Sequence, residues 1–392
     1  MKRIAVIGAG AAGCFCAAEL RRRRPAVKVD VYESGPKPLA KVAITGGGRC
    51  NLTNSFEGIR SLGEAYPRGE RLMKRLLRVF SQEDTWRWFE DAGVPLVLQD
   101  DHCVFPRSQD AMDIVHALLR RMEGVNLLLR TPVHSIGPDL TVDGEAYDAV
   151  VVTTGGAPKG LPLLEGLDLE WVPTAPSLFT FTIQDEGLRA LMGLVVEATV
   201  SIPGTTFKAD GPLLITDWGL SGPAVLKLSS YAARHLHDAG YKAPLSVNWL
   251  SLSEAETRAL LEELSTANPR KQVSNTPPAG LQARLWNYLT VKAGLRPDIH
   301  WAELGSKGLN KLVNTLAQDS YTIAGKTKFR DEFVTCGGVA LSNLNPATLE
   351  SKQYPGLYFA GEVLDIDAIT GGFNLQAAWT TGYVAAQSIA SK

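Results

Sequence analysis

Glycine-rich turns of the nucleotide-binding kind stand at both ends of this 392-residue chain. Near the start, Lys2-Arg-Ile-Ala-Val-Ile7 reads as a short apolar strand, and Gly8-Ala-Gly10-Ala-Ala12-Gly13 as a turn opening into a helix. In such a turn Gly8 allows the sharp bend, Gly10 lets backbone N–H groups approach a pyrophosphate, and Gly13 lets helix and strand pack closely. Near the end, Pro355-Gly-Leu-Tyr-Phe-Ala-Gly361-Glu362 reads as a strand ending in glycine and an acid. Thr370-Gly371-Gly372-Phe373-Asn374 then opens a helix that runs to about Ile389. Two such signals, separated by most of the chain, predict one sheet built jointly by the first and last segments.

A second strand, Lys28-Val-Asp-Val-Tyr32, ends at Glu33, about 20 residues past the fingerprint. A carboxylate there accepts hydrogen bonds from ribose hydroxyls and repels a 2′-phosphate. With the helix N-terminus supplying positive potential to a diphosphate, these elements predict that a dinucleotide's diphosphate and ribose lie across the first turn.

The N-terminal stretch is rich in glycine, and Arg21–Arg24 follow where a secretory signal would be cleaved, so no leader is read there. No apolar run approaches a membrane span, and a cytoplasmic location is expected. The formal net charge of −1 gives no global drive toward nucleic acid or membranes. Arg21–Arg24 is the local exception and reads as a solvated helix end. The five cysteines, Cys14, Cys16, Cys50, Cys103 and Cys336, form neither a CxxC pair nor a metal clip, and suit a reducing compartment. The six histidines form no ligand pattern, and no metal is expected.

Ser81 is placed to cap a helix through Trp86–Phe89, ending at Gly93. A second helix is expected from Ser108, with Met112, Val115 and Leu119 on one buried face. Val125–Arg130 reads as a strand. Asp143-Gly144 is a turn before the apolar strand Tyr147–Val152, which runs into Thr153-Thr154-Gly155-Gly156, an element suited to bringing backbone near a cofactor. From about Leu178 short alternating segments predict a β-rich unit, and Ser253 with Glu256 marks the start of a helical unit broken by Pro269, Pro277 and Pro278. The nucleotide-fold texture returns near Phe333. The expected divisions are 1–177 and 333–392 as one discontinuous domain, with a β-rich insertion at 178–252 and a helical insertion at 253–332.

Lys41-Val-Ala-Ile-Thr45-Gly46-Gly47-Gly48-Arg49-Cys50-Asn51-Leu52-Thr53-Asn54 is the sharpest string in the chain. Three glycines followed by donors and acceptors make a nest for an anion or a carbonyl, and Arg49 adds a rigid fork of donors. Together with Thr335–Val339, Phe105-Pro106, Gly219-Leu-Ser-Gly-Pro223 and the 350–375 region, this string resembles the BaiN-like (YhiN, aminoacetone oxidase-labelled) family of bacterial FAD-dependent flavoproteins, over nearly the whole length. The resemblance implies an α/β fold: a FAD-binding Rossmann-like (two-dinucleotide-binding flavoprotein) domain with inserted β-rich and helical units. It implies that Gly8, Gly10, Ala12, Gly13 and Glu33 hold the ADP half. Lys41, Gly46, Gly47, Gly48, Arg49, Cys50, Asn51, Thr154, Gly155, Gly361, Glu362, Gly371, Gly372, Phe373 and Asn374 would line the rest of the cofactor. The sequence departs from the family pattern at 157–161, Ala-Pro-Lys-Gly-Leu, where a Thr-Gly-Ser-x-Gly-Asp-Gly stretch is usual, and at Cys336, which reads as packing.

The chemistry so implied is hydride transfer from reduced flavin to an activated C=C bond, enone-like or uracil-like, with uridine in ribosomal RNA as one acceptor. Cys50 is the candidate acid for the second carbon, with Arg49 polarising a substrate carbonyl; a small structural role for Cys50 is the competing reading. Two other readings stay open: an oxidase or dehydrogenase of small amines, and a flavin-bearing redox or interaction protein without turnover. No second fingerprint marks a separate NAD(P)H domain, so nicotinamide either docks transiently as electron donor or reducing power comes from elsewhere.

Overall fold

The computed structural model describes residues 3–156, 161–326 and 334–392. The chain divides into two compact units, Met1–Pro176 with Val334–Lys392, and Ser177–Phe333. The expected boundary near Phe333 and the 157–160 departure fall outside the described residues.

The first unit is organised by a five-stranded parallel sheet. Its order is Leu357–Phe359, Ala149–Val152, Arg3–Ile7, Lys28–Tyr32, Asn126–Leu128. The N-terminal strand is central, with Ile4 paired to Val29 on one side and Ala149 on the other. Ile4, Ala5 and Val6 have no exposed surface, as expected of an apolar strand covered on both faces. The strand near the C-terminus enters the same sheet beside Ala149–Val152, so both ends of the sequence build one layer. The helix Ala11–Arg23 packs against the helix Phe373–Ala390 so closely that a Cβ on Gly382 would lie 2.7 Å from the Ala12 carbonyl oxygen. Phe15 anchors an aromatic cluster with Phe80, Trp88, Phe89 and Trp379, at centroid distances of 5.4, 4.5, 6.2 and 5.5 Å. A three-stranded antiparallel sheet, Leu96–Leu98, Cys103–Pro106 and Thr53–Asn54, fixes the far end of the glycine string.

The second unit is a closed six-stranded barrel ordered Phe181–Ile183, Gly219–Ser221, Lys208–Thr216, Val195–Ser201, Ala243–Asn248, Asp319–Lys326. The helices Glu254–Ala267, Ala283–Lys292 and Gly305–Ala317 lie between its last two strands in sequence. They share one hydrophobic core with the barrel, including the buried Trp249, Trp286 and Trp301. The β-rich and helical stretches are thus one body, because the strand that closes the barrel follows the helices.

Local signals mostly act as their chemistry dictates. Ser81 caps Gln82–Asp91 through a capping box with Asp84, and Ser253 caps Glu254–Ala267 with Glu256. The helix expected from Ser108 starts later, at Ala111. Its cap is Asp110, which accepts from Met112 N at 2.8 Å. Its buried face is accordingly Ile114, Val115 and Leu118, and Met112 is exposed.

The Arg21–Arg24 run is not a merely solvated helix end. Arg22 and Arg23 donate to Glu19, 1% exposed, at 2.7 and 3.1 Å, and Trp88 Nε1 donates to the same carboxylate at 2.9 Å. Arg21 donates to the Glu123 carbonyl at 3.0 Å and Arg24 to the Ala390 carbonyl at 2.8 Å. Burial raises the Glu19 carboxyl, yet the hydrogen bonds from Arg22 and Trp88 hold it below the ordinary carboxylate value. A depressed carboxyl pKa contributes stability at neutral pH that is lost as pH falls through the folded-state value. Glu19→Gln should therefore lower unfolding stability at pH 7 by about 1–3 kcal/mol, and the gap to wild type should close in acid. Denaturant titrations of both proteins at neutral and acid pH measure it; a gap that widens in acid would overturn the assignment.

Candidate functional site

All of the site lies in the first unit. At the end of the first strand Gly8 turns at φ 109°, and its N–H donates to the Tyr32 carbonyl at 2.8 Å. A Cβ here would meet the Thr153 carbonyl oxygen at 2.6 Å; at Gly13 it would meet the Gly8 carbonyl oxygen at 1.9 Å. At Gly10 it would meet nothing within 4 Å. The fingerprint thus divides by role: two glycines are squeezed by backbone, and the third faces open space in front of a helix with no side-chain cap. That is the arrangement a diphosphate requires. Glu33 is held at the edge of this space by the N–H groups of Ala9 and Gly35, at 3.0 and 2.6 Å. Ala12 is buried under Gly361, whose hypothetical Cβ would stand 2.8 Å from that of Ala12.

A second group converges from four segments. Lys41 Nζ lies 3.6 Å from Glu362 Oε2, and Glu362 Oε1 accepts from Thr335 N at 2.8 Å. A Cβ on Gly155 would be 3.7 Å from the same carboxylate, and one on Gly156 would be 2.9 Å from it. Thr154 Oγ1 beside them is buried with no hydrogen-bond partner.

The glycine string forms the third group. Gly46, Gly47 and Gly48 all have positive φ (60°, 69° and 84°) and kink what would otherwise be one helix, Ala40–Gly48. Gly47 and Gly48 open on space, while Gly46 backs onto Asn51 N and Phe105. The string is stapled to the start of the C-terminal helix. A Cβ on Gly372 would collide with the Thr53 carbonyl oxygen at 2.4 Å and with Asn51 Oδ1 at 2.7 Å. Asn54 Nδ2 donates to the Gly371 carbonyl at 3.0 Å, and Thr53 Oγ1 donates to Gln376 at 2.5 Å. Asn51 Oδ1 is itself buried without a donor. The helix Phe373–Ala390 has Gly372 as N-cap at φ 88°, with no side-chain cap and no acid in its first turn.

Some expected contacts fall elsewhere. Cys50 has no exposed surface and belongs to the hydrophobic core, where burial pushes its thiol up to about 12. A thiol so placed is a poor proton donor, and its left-handed φ of 61° marks a structural turn. Arg49 Nε donates to the Gly46 carbonyl at 3.2 Å, and its guanidinium lies 4.7 Å from the centre of the Phe105 ring. Asn374 closes its own loop: Oδ1 accepts from Ala368 N and Nδ2 donates to Ala368 O, both at 2.9 Å. Phe373 is buried edge-on against Phe56 and Tyr66. These two therefore shape the turn.

Sequence reading missed the braces. Thr153 Oγ1 donates to the Ile7 and Gly8 carbonyls at 3.0 and 2.8 Å and fixes the first turn. Thr381 Oγ1 receives the Gly361 N–H at 2.9 Å. Arg68 and Asp367 make a buried bidentate pair just before the Gly371–Gly372 turn. Thr153 belongs to the Thr153–Gly156 element, but its partners lie over 140 residues away. Among the described residues no three His, Cys, Asp or Glu side chains stand together as metal ligands, and no helix is long and apolar enough to cross a membrane.

Two uncapped helix N-termini, a nest of open glycines, a ribose-ready carboxylate and two orphaned buried oxygens, Thr154 Oγ1 and Asn51 Oδ1, fit an extended dinucleotide such as FAD. Residues 2–388 match a family model described as HI0933-like protein Rossmann domain. The chain is 31% identical over 405 residues to the ribosomal RNA dihydrouridine synthase of Escherichia coli (strain K12), covering 98% of this chain and 97% of that protein. It is 27% identical over 420 residues to the 3-dehydro-bile acid delta(4,6)-reductase of Clostridium scindens, covering all of both. The 3-ketosteroid delta1-dehydrogenase of Sterolibacterium denitrificans shares the fold at TM-score 0.50 and 15% identity, over the full length of both chains.

Gly10→Asp and Thr154→Val separate cofactor binding from folding. The aspartate enters open space and caps a helix, so the cofactor-free protein should be as stable or up to about 1 kcal/mol more stable. Its charge would meet the diphosphate, and flavin retained after gel filtration should drop at least tenfold. Thr154→Val removes an unpartnered hydroxyl and should leave the cofactor-free protein unharmed while weakening flavin retention by about 1 kcal/mol, or roughly fivefold. Equal flavin content in both variants and wild type would refute the placement.

Proposed function

The chain belongs to the HI0933-like Rossmann family and is an FAD-dependent oxidoreductase; from that premise we propose that it reduces a C=C bond conjugated to a carbonyl, with uridine in ribosomal RNA as the acceptor. The observation that carries this is the pairing of the cofactor cradle with two full-length relatives, one named for making dihydrouridine in ribosomal RNA and one for reducing a 3-dehydro-bile acid at delta(4,6). Dihydrouridine is uridine with its C5=C6 bond reduced, and a delta(4,6) bond of a 3-oxo steroid is likewise conjugated. The ribosomal RNA synthase of Escherichia coli is the more similar of these two relatives, which favours the nucleobase.

FAD, when bound and reduced, would supply the hydride for one carbon of the double bond, the other carbon taking a proton, with NAD(P)H proposed as the two-electron donor. The residues of this chain do the rest. The Gly8–Gly13 turn and Glu33 would hold the ADP half; Lys41 with Glu362, Thr154 and the open glycines 47 and 48 would line the remainder. The uncapped start of the C-terminal helix would supply positive potential for the negative charge that accumulates on reduction. Arg68 and Asp367 fix the loop that leads to that helix start and thereby position it.

Cys50 is left out of the proton path by its burial. Cys50→Ala should keep turnover within about threefold and leave the pH–rate profile unshifted, whereas a group used as general acid contributes roughly 100-fold or more; a loss of that size would restore Cys50 to the mechanism.

The test of the reading is anaerobic. Purified protein is reduced with NADPH or NADH, and its reoxidation is followed with free uridine, uridine-containing ribosomal RNA and a steroid enone; in a separate aerobic assay the oxidised protein is mixed with aminoacetone and peroxide is measured. Rapid reoxidation by an RNA or enone acceptor, with dihydrouridine found by mass spectrometry in the RNA product, is expected. Reoxidation by none of the conjugated acceptors, with peroxide released in the aerobic assay as the amine reduces the flavin and dioxygen reoxidises it, would refute it.

A further inference from the structure

A groove of about 660 Å³ lies in the first unit, outside every cofactor-site residue named above. Its lining joins Arg71, Lys74, Arg75 and Arg78 from one segment with Leu341, Ser342, Leu344 and Pro346 from another. The four cations follow i, i+3, i+4 and i+7, so the helix Glu70–Leu76 and the turn after it present them along one face. All four are exposed, and among the described residues none is in an ion pair. Lys352 Nζ donates to the Ser342 carbonyl at 2.7 Å and adds a cation beside the second segment. Glu170, which accepts from Ser342 Oγ, is the acid on that side.

Such a row costs something to keep. Four like charges within two turns repel one another, each i, i+4 pair by a few tenths of a kcal/mol. Among the described residues no acid pairs with them, in contrast to Arg21–Arg24, each of which has an acceptor. The net charge of −1 makes the row a local feature rather than part of a basic protein.

We propose that this groove binds the phosphodiester backbone of the RNA substrate. The inference rests on the RNA reading above and assigns it a surface. Charge and shape both favour a polyanionic strand. The cations repeat every three or four residues along one face that lines a concave groove, and the apolar Leu72, Met73 and Leu76 between them are 7%, 0% and 0% exposed. A lipid surface would call for apolar side chains that protrude between the cations, and here they are recessed. The groove also adjoins the site through the chain itself: the helix carrying the cations begins right after Arg68, whose partner Asp367 precedes the Gly371–Gly372 turn.

The test uses the flavin-loaded full chain and a fluorescently labelled single-stranded ribosomal RNA segment containing uridine, with anisotropy recorded across a salt series. Wild type should bind with a linear fall of log affinity against log salt. The triple variant R71Q/K74Q/R75Q should bind at least tenfold more weakly, with a slope shallower by about 2, since each single-strand phosphate contact contributes about 0.7. Its flavin content and its turnover of free uridine or a steroid enone should match wild type, which shows that the fold and the chemistry are intact. R78E tests the end of the row and should weaken binding with the same preserved turnover. Unchanged affinity and slope in the triple variant, or no RNA binding by wild type at low salt, would overturn the groove assignment while small-acceptor turnover still stands. Loss of small-acceptor turnover in wild type itself would overturn the reductase reading and leave the binding result intact.

Discussion

The first unit depends on close approaches that only the missing side chain of a glycine allows. Gly13 lies against the Gly8 carbonyl, Gly361 against Ala12, and Gly382 against the Ala12 carbonyl, each at a distance that a Cβ would make impossible. These contacts seat the N-terminal helix between the sheet and the C-terminal helix. They also set the position of two helix starts, because the Gly8 turn and the Gly371–Gly372 turn are their continuations. Everything polar in the cradle is hung from this apolar, glycine-lubricated frame. Thr153, Thr381 and the Arg68–Asp367 pair then hold the turns against it.

The frame was readable in the sequence because it is made of local signals with strict steric meaning. Strand, glycine turn, helix and terminal acid occur in order within the first 33 residues, and the same logic repeats at 355–374. The cradle around it was half readable. Glycines 46–48 announce an unusual backbone, yet nothing in the string reveals that Cys50 turns inward to the core, or that Asn374 closes its own loop. Direction is decided by the packing of remote elements: the Thr53–Asn54 strand against Cys103–Pro106, and the helix start against Thr53. Barrel closure was hidden for the same reason. Asp319–Lys326 pairs with Phe181–Ile183 across more than 130 residues, and only that pairing turns a meander and a helical stretch into one body. Glu19 is the clearest case of a misleading local pattern: an acid before four arginines looks like a surface helix end, and it is a buried hub.

The cradle is also arranged to be incomplete by itself. Helix starts with no side-chain cap and buried oxygens without donors are costs that an apolar or self-satisfied turn would avoid. They sit together, on the side of the sheet where the carboxyl ends of the strands open, the usual position for ligands in such folds. A bound dinucleotide would remove those costs at once, so affinity for it and the stability of the first unit are thermodynamically linked.

The order of segments along the chain has a consequence for biogenesis. Every strand of the barrel lies between Phe181 and Lys326, so that body can close while the ribosome is still at work. The parallel sheet lacks its outer strand until Leu357–Phe359 emerges, and the helix that braces Ala12 comes later still. Chains generally fold as they are made, domain by domain. Here the nascent nucleotide half must wait, with an apolar edge uncovered, until residues 357–390 have been made, so the complete cradle forms only after the barrel has had the chance to close.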